Sequence, residues 1–325
     1  MKRRTISEGI PAWTSSYEYA TNPESRMFIS LDKAEQIVTY AGSREGKSLL
    51  NKIPLRQSFS LMAHKIIPLY SKQTKFQHLL LARYAGDRIA LFQDGEWQFL
   101  SGKDAERVFH EHEAKLPALM VDTDAPKVLI IGGGDGLAAR DVLEVKPNAD
   151  ITLVDIDAEM VEFARRHPIM RKLNKGSIDK VKVIPTDGIA FMLNPKNREK
   201  YDLVIIDLPD PIRDTTEHLY DIPLIVGILN VLKPHGVVSI YATAHDSPLQ
   251  NWLAETLQHA FYQVKKVPAQ VAEMGTAGFV WAKLKRPEAY ALLREYYPIA
   301  VRQHKRNIKR IVYKSFKFVR GGYYG

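Results

Sequence analysis

The sequence predicts an α/β protein in which a doubly wound, mostly parallel sheet follows a small antiparallel β domain. From Lys127 onward, short apolar runs (VLIIG, ITLVDID, VKVIPTDG, YDLVIIDLPD, VVSIYAT) alternate with helical stretches, the pattern of parallel strands covered on both faces. Between Met27 and Phe99, β-favouring runs such as HLLLARYAGDRIALFQDGEWQFL are broken by Gly-Asp and Asp-Gly pairs, which mark hairpins. The stretch Lys127 to Asp157 reads as a buried strand, a three-glycine turn, a helix and a second strand ending in acid. That is half of a nucleotide-binding α/β unit, with Asp155 about twenty residues beyond the turn, where a carboxylate reaches ribose hydroxyls.

Taken in order, residues Met1 to Arg26 carry polar and turn residues without periodicity and read as an irregular or docked arm. Helical content is expected around Ser58 to Leu69 within the β domain. Lys103 to Met120 is a charged amphipathic helix expected to end at or near Pro117. Val121 to Pro126 is a linker, and the runs FYQVKKVPA and GFVWAKL read as a closing hairpin. Three parts follow: 1–120, the arm and β domain with a linking helix; 121–285, the ligand-binding and catalytic domain; 286–325, a basic extension.

The 325 residues are 45% hydrophobic and 26% charged, as in soluble globular proteins. No window approaches the eighteen apolar residues of a membrane span, and the first residues lack the apolar segment of a secretory signal. A cytoplasmic protein without a membrane partner is expected. The absence of cysteine excludes disulfides, thiolate metal sites and a cysteine nucleophile. The net charge of +9 is concentrated in Arg302 to Arg320, where Arg and Lys interleave with Tyr and Phe. Such a tail is compatible with phosphate contacts and a nucleic-acid partner, but a solvated helix or strand face is the favoured reading.

Ligands of open α/β sheets bind beyond the carboxyl ends of the strands. Those ends are acidic here: Asp135 in the turn Gly132, Gly133, Gly134; Asp155 and Asp157; Asp187 with Gly188; Asp207 and Asp210. Carboxylates brought together repel, so their partner is a cation. A hard metal usually works beside phosphates, which Asp135 would repel; an organic cation such as a sulfonium nucleoside with an alkylamine suits the set better. Asp135 could instead simply cap the following helix. In DLPDP, Asp207 and Asp210 can both face the crevice, one accepting a proton from an attacking ammonium and the other anchoring a distal charge. His110 and His112 read as packing or surface histidines rather than metal ligands, since no third partner is in view.

VLIIGGGDG, LVDID, TDG and YDLVIIDLPDP, in this order, resemble the polyamine aminopropyltransferases, the spermidine synthase family. TKFQHLLL, LFQDGEWQF and FHEHEAKLPAL look like upstream family segments, so the resemblance covers about residues 70 to 285. It implies a class I methyltransferase-like Rossmann domain with a seven-stranded sheet. It also implies transfer of the aminopropyl group of decarboxylated S-adenosylmethionine to an amine, releasing 5′-methylthioadenosine, with no metal and no cofactor beyond that co-substrate. Carried over by resemblance, Gln77, Gly132, Gly134, Asp135, Asp155, Asp187 and Gly188 bind the donor. Of these, Asp135 takes the aminopropyl ammonium, Asp155 the ribose and Asp187 the adenine amino group. Asp207 is the acid-base residue, and Asp210, His110 and Tyr241 serve the acceptor.

The departures from the family pattern fall on the acceptor side. Phe109-His110 stands where the family usually has Tyr-His, Tyr241 where relatives often have Gln, and Ala277 where an indole is common; the loop after Pro211 continues IRDTTEHLYD. Putrescine or another di- or polyamine is the implied acceptor, and a homodimer or homotetramer the implied assembly. The alternatives are an S-adenosylmethionine methyltransferase on the same fold and a noncatalytic module bound to nucleic acid through the tail.

Overall fold

The computed structural model describes residues 67–84, 87–211 and 216–320. The expected arm and the β runs before residue 67 lie outside the described residues. So does most of the helix expected around Ser58 to Leu69; its last three positions instead open a strand.

Strands β1 (Ile67–Gln73), β2 (His78–Tyr84), β3 (Arg88–Gln93) and β4 (Glu96–Leu100) form an antiparallel meander in that order. The Asp-Gly signal of the last hairpin is realised with positive φ at both Asp94 (51°) and Gly95 (82°), the geometry that type I′ turns require. The run Leu79 to Ala82 is apolar at consecutive positions because both faces of the strand are covered. Leu80 and Ala82 pack with Phe109, Val267 and Phe279, while Leu79 and Leu81 pack with Leu137, Met160 and Phe163.

Helix α1 begins at Glu106–His110, widens into a π-helical turn at Glu111–Lys115 and resumes at Leu116–Leu119. It therefore runs only two residues past Pro117, near the end expected. A proline ring clashes with the carbonyl four residues earlier, here Glu113, and the widened turn lies over that carbonyl.

The second sheet comprises β5 (Lys127–Gly132), β6 (Asp150–Asp155), β7 (Lys182–Pro185), β8 (Tyr201–Asp207), β9 (Leu232–Ala244), β10 (Phe261–Val271) and β11 (Gly275–Lys285). Its order is β10-β11-β9-β8-β5-β6-β7, parallel from β9 to β7, with β11 antiparallel to both neighbours. The closing pair of runs forms the expected hairpin. Because β5 sits between β6 and β8, the connections leave it in opposite directions, and a crevice opens at the carboxyl ends of these strands.

The covering helices are α2 (Leu137–Val145), α3 (Ala158–Arg166), α4 (Pro168–Leu173), α5 (Gly188–Leu193), α6 (Ile222–Val231), α7 (Pro248–Gln258) and α8 (Pro287–Arg320). Helix α6, IPLIVGILNV, is apolar on every side, and a helix of that kind needs cover on two faces. The sheet supplies one cover. Ala289, Leu293, Tyr296 and Ala300 of α8 share the same core cluster and supply the other. On the outside of α8, Arg302, Lys305, Arg306 and Lys309 are exposed, the solvated face favoured for the start of the basic tail.

Candidate active site

The glycine turn binds its own strand neighbours before any ligand. Gly132 has φ +82°, and a Cβ there would lie 1.8 Å from the carbonyl oxygen of Asp207. At Gly134 a Cβ would come within 2.6 Å of the Asp155 carboxylate, which instead accepts the Gly134 N–H at 3.0 Å. Any side chain at either place would separate β5 from the two acids. Asp135, one residue before the Gly136 N-cap of α2, accepts the Leu137 N–H at 2.9 Å while also facing the buried acids and His110. A local bond at the helix start and a cation-facing position coexist in this residue.

Asp135, Asp155, Asp207 and Asp210 converge on the crevice, and each finds its charge opposed. Burial, followed by the charge of Asp135, pushes Asp207 up to about 7, against the pull of His110. Burial also raises Asp155 to about 6, with Asp157 adding to it and backbone N–H groups of Asp157 and Gly134 working the other way. Asp210 is raised to about 6 by burial, partly offset by a hydrogen bond with Tyr241. Asp135 is raised by burial as well. A crevice in which several carboxyls cannot all ionise is built for positive charge.

Helix α1 carries His110, which the sequence singled out, together with Glu106, Arg107 and Glu113, which it did not. His110 Nδ1 meets the Glu106 carbonyl at 2.7 Å and its carboxylate at 3.5 Å. Arg140 grips Glu106 at 2.9 Å and Asp141 at 2.6 Å, and Arg107 reaches Asp141 at 2.5 Å. Burial penalises the charge of Glu106, but His110 and Arg140 outweigh it and hold the group at about 2. Burial likewise works against a charged His110, yet the bond to Glu106 and the charge of Asp135 leave it raised. One turn further, Glu113 is 0% exposed beside Asp207. The π turn that carries it is pinned to β11 by the Trp281 Nε1–H donating to the His112 carbonyl at 3.0 Å.

His110, Glu113 and Asp207 place ligand-type atoms within 4.8 Å of one another. His110 is thus buried in the site, whereas His112 bonds the Val108 carbonyl at 2.8 Å within its own helix. Tyr241, which the resemblance assigns to the acceptor, packs edge-on against Phe109 with centroids 5.0 Å apart, and Tyr220 donates to the Leu208 carbonyl at 2.9 Å, closing the DLPDP loop.

Two residues that the resemblance assigns to the donor are already engaged. Gln77 donates to Asp157 at 3.0 Å, and Asp157 in turn caps α3. Asp187 caps α5 through Ala190 N–H at 2.9 Å and meets His304 of α8 at 3.3 Å. Asp187 and Gly188 thus stand at the N-terminus of α5, beneath a helix that composition had marked only as a basic tail. The tail's contact with Asp187 depends on packing between segments more than a hundred residues apart, and a one-dimensional reading carries no signal for it.

The spermine/spermidine synthase domain model matches residues 106–286. The chain belongs to that family. It is 34% identical over 222 residues to polyamine aminopropyltransferase 1 of Streptomyces coelicolor, covering 66% of this chain and 41% of that one. Over 190 residues it is 36% identical to polyamine aminopropyltransferase 2 of Aquifex aeolicus, covering 54% and 37% of the two chains. The chain therefore spans less than half the length of these two relatives. A crystal structure of a spermidine synthase in complex with the transition-state analogue AdoDATO shares its fold, with TM-score 0.59 and 22% identity over 66% of this chain and 73% of that one. The family match begins at Glu106, so it takes in α1 with His110 and Glu113, and it stops before α8.

Proposed function

We propose that the chain is a polyamine aminopropyltransferase, moving the aminopropyl group of decarboxylated S-adenosylmethionine to an amine acceptor and releasing 5′-methylthioadenosine. The observation that carries the reading is the convergence of buried acids on one crevice in a protein of net charge +9. The substrates of this transfer bring a sulfonium, an aminopropyl ammonium and the ammonium groups of the acceptor, which are the charges such a crevice lacks.

In this reading Asp135 faces the aminopropyl ammonium and Asp155 the ribose, with Gly132, Gly134 and Gly188 allowing the backbone to lie close to the nucleoside. Gln77 and Asp187 close the adenosine pocket. Asp207, held at about 7, takes the proton of the attacking ammonium, a value suited to accepting it near neutral pH. Asp210 with Tyr241 holds the far end of the amine, and His110 serves the acceptor in the same cavity. Putrescine or a longer di- or polyamine is the acceptor class. The family membership and the names of the relatives support this reading over methyl transfer, and a carboxylate-bearing donor would face Asp135 at close range.

Further parts of the reading are a homo-oligomer, a cytoplasmic location and a division at 120 and 285, the last supported by the linker 121–126 and by α8 lying outside the family match. Among the described residues no helix is long and apolar enough to cross a membrane. The test is release of methylthioadenosine from decarboxylated donor and putrescine by the wild type and by Asp207→Asn. Turnover lost in a folded variant supports the reading; equal turnover removes Asp207 from it.

A further inference from the structure

Glu113 is buried at 0% exposure, and neither of its carboxylate oxygens has a hydrogen-bond donor to face. An ionised carboxylate in that state is too costly for a fold to carry, so the group keeps its proton. Burial and then the charges of Asp207 and Asp135 raise it well above the ordinary range. A protonated Glu113 has a donor of its own, and ligand-type atoms of Glu113, Asp207 and His110 lie within 4.8 Å of one another. The groups facing it are Asp207 at the end of β8, Asp135 in the glycine turn, Asp141 on α2, Tyr220, Tyr241 on β9, and His110 on its own helix at 4.0 Å.

We propose that Glu113 is a positioning residue of the amine site: a neutral carboxylic acid that donates to Asp207 and offers its carbonyl oxygen to the attacking nitrogen. The inference rests on the aminopropyl-transfer reading. An ammonium in the site has three N–H groups. One proton passes to Asp207, a second N–H points to the Glu113 carbonyl, and the lone pair so freed is left to attack. It forms the C–N bond at the carbon attached to the sulfonium; the C–S bond breaks, and its electron pair leaves with sulfur as a neutral thioether. Phe109, whose ring has no polar atom, contributes nothing to this nitrogen, so the hydrogen-bonding role on α1 falls to Glu113 one turn later.

The spacing suits an ammonium better than a metal ion. Ligand atoms around a divalent metal at ~2.0–2.2 Å lie roughly 3.0–3.5 Å apart. Acceptors around a tetrahedral ammonium at ~2.8 Å lie roughly 4.6 Å apart. His110 Nε2 and Glu113 Oε2 are 4.0 Å apart, wider than the first arrangement.

The experiment compares full-length wild type, Glu113→Leu and Glu113→Gln. The readouts are kcat/KM for putrescine with saturating decarboxylated donor, calorimetric affinity for methylthioadenosine and for a diamine, and metal content. The expected result is a loss of at least ~30-fold in kcat/KM for the amine in Glu113→Leu, with nucleoside affinity held within ~3-fold. Glu113→Gln, which also donates and accepts, recovers most of that loss.

Unchanged kcat/KM in Glu113→Leu would overturn the proposal, and so would a parallel fall in nucleoside affinity, which marks a merely structural role. Stoichiometric metal in the wild type, lost along with activity in both variants, would assign the site to a metal ion instead. Should the wild type turn over no donor, the aminopropyl reading fails and the diamine calorimetry decides alone. Heat present in wild type and absent in Glu113→Leu keeps Glu113 as an amine-binding residue, and no heat in wild type overturns it.

Discussion

Asp135 shows how one side chain can be local structure and chemistry at once. Its carboxylate accepts the N–H of Leu137, the first residue of α2, while its charge enters the balance of His110 and Asp207. An asparagine amide oxygen can accept the same N–H, so Asp135→Asn removes the charge and keeps that bond. It is expected to weaken binding of decarboxylated S-adenosylmethionine by at least ~10-fold more than that of S-adenosylmethionine, measured by calorimetry with each donor. Equal losses on the two donors would show that Asp135 does not read donor charge. At Asp207, whose carboxyl stands near 7, replacement by Asn is expected to lower turnover by ~10²–10⁴ with folding intact. In the wild type, kcat/KM should rise through about pH 7 as Asp207 loses its proton and becomes able to accept one.

At the scale of elements, the strands of the second sheet and their acidic ends were legible because a parallel strand buried on both faces leaves an apolar run, and the residue after it is where chemistry begins. Asp135, Asp155, Asp207 and Asp210 all stand where that rule puts them. Glu113 was not legible: in sequence it is one of several charges on an amphipathic helix, and only the packing of α1 over β8 buries it. Pro117 marked the end of α1 to within two residues, but the widened turn before it left no sequence signal. Arg140 gave no signal either, because its partners Glu106 and Asp141 lie one at a distance and one next in sequence.

Helix α8 was read only as a charged tail, yet Leu293, at 6% exposure, packs in the main core with α6. Leu293→Ala is expected to cost about 2–4 kcal/mol, read as a lower urea midpoint with unchanged slope. His304→Ala should change donor affinity more than amine affinity, because His304 pairs with Asp187, which the proposed function assigns to the adenosine pocket.

For the whole molecule, the raised carboxyls make stability depend on pH with a definite sign. Asp155 and Asp210 titrate at about 6 and Asp207 at about 7 in the folded chain, against about 4 when unfolded. Between those values the folded chain holds more protons, so unfolding free energy falls as pH rises from about 4 to about 7. Glu106, held at about 2, works in the opposite sense and contributes stability that is lost only as pH falls below about 4. The free protein should therefore melt at a lower temperature at pH 8 than at pH 6, and a bound diamine should raise the melting temperature more at pH 8, as scanning calorimetry can show.

The same acids, gathered in a basic chain, are the ground for proposing aminopropyl transfer. The most direct test is a mass-spectrometric assay of purified protein with each donor and a panel of diamines and polyamines. Methylthioadenosine together with an amine one aminopropyl group heavier, formed only from the decarboxylated donor, is the expected result. S-adenosylhomocysteine with a methylated product, or no turnover of either donor, would contradict it.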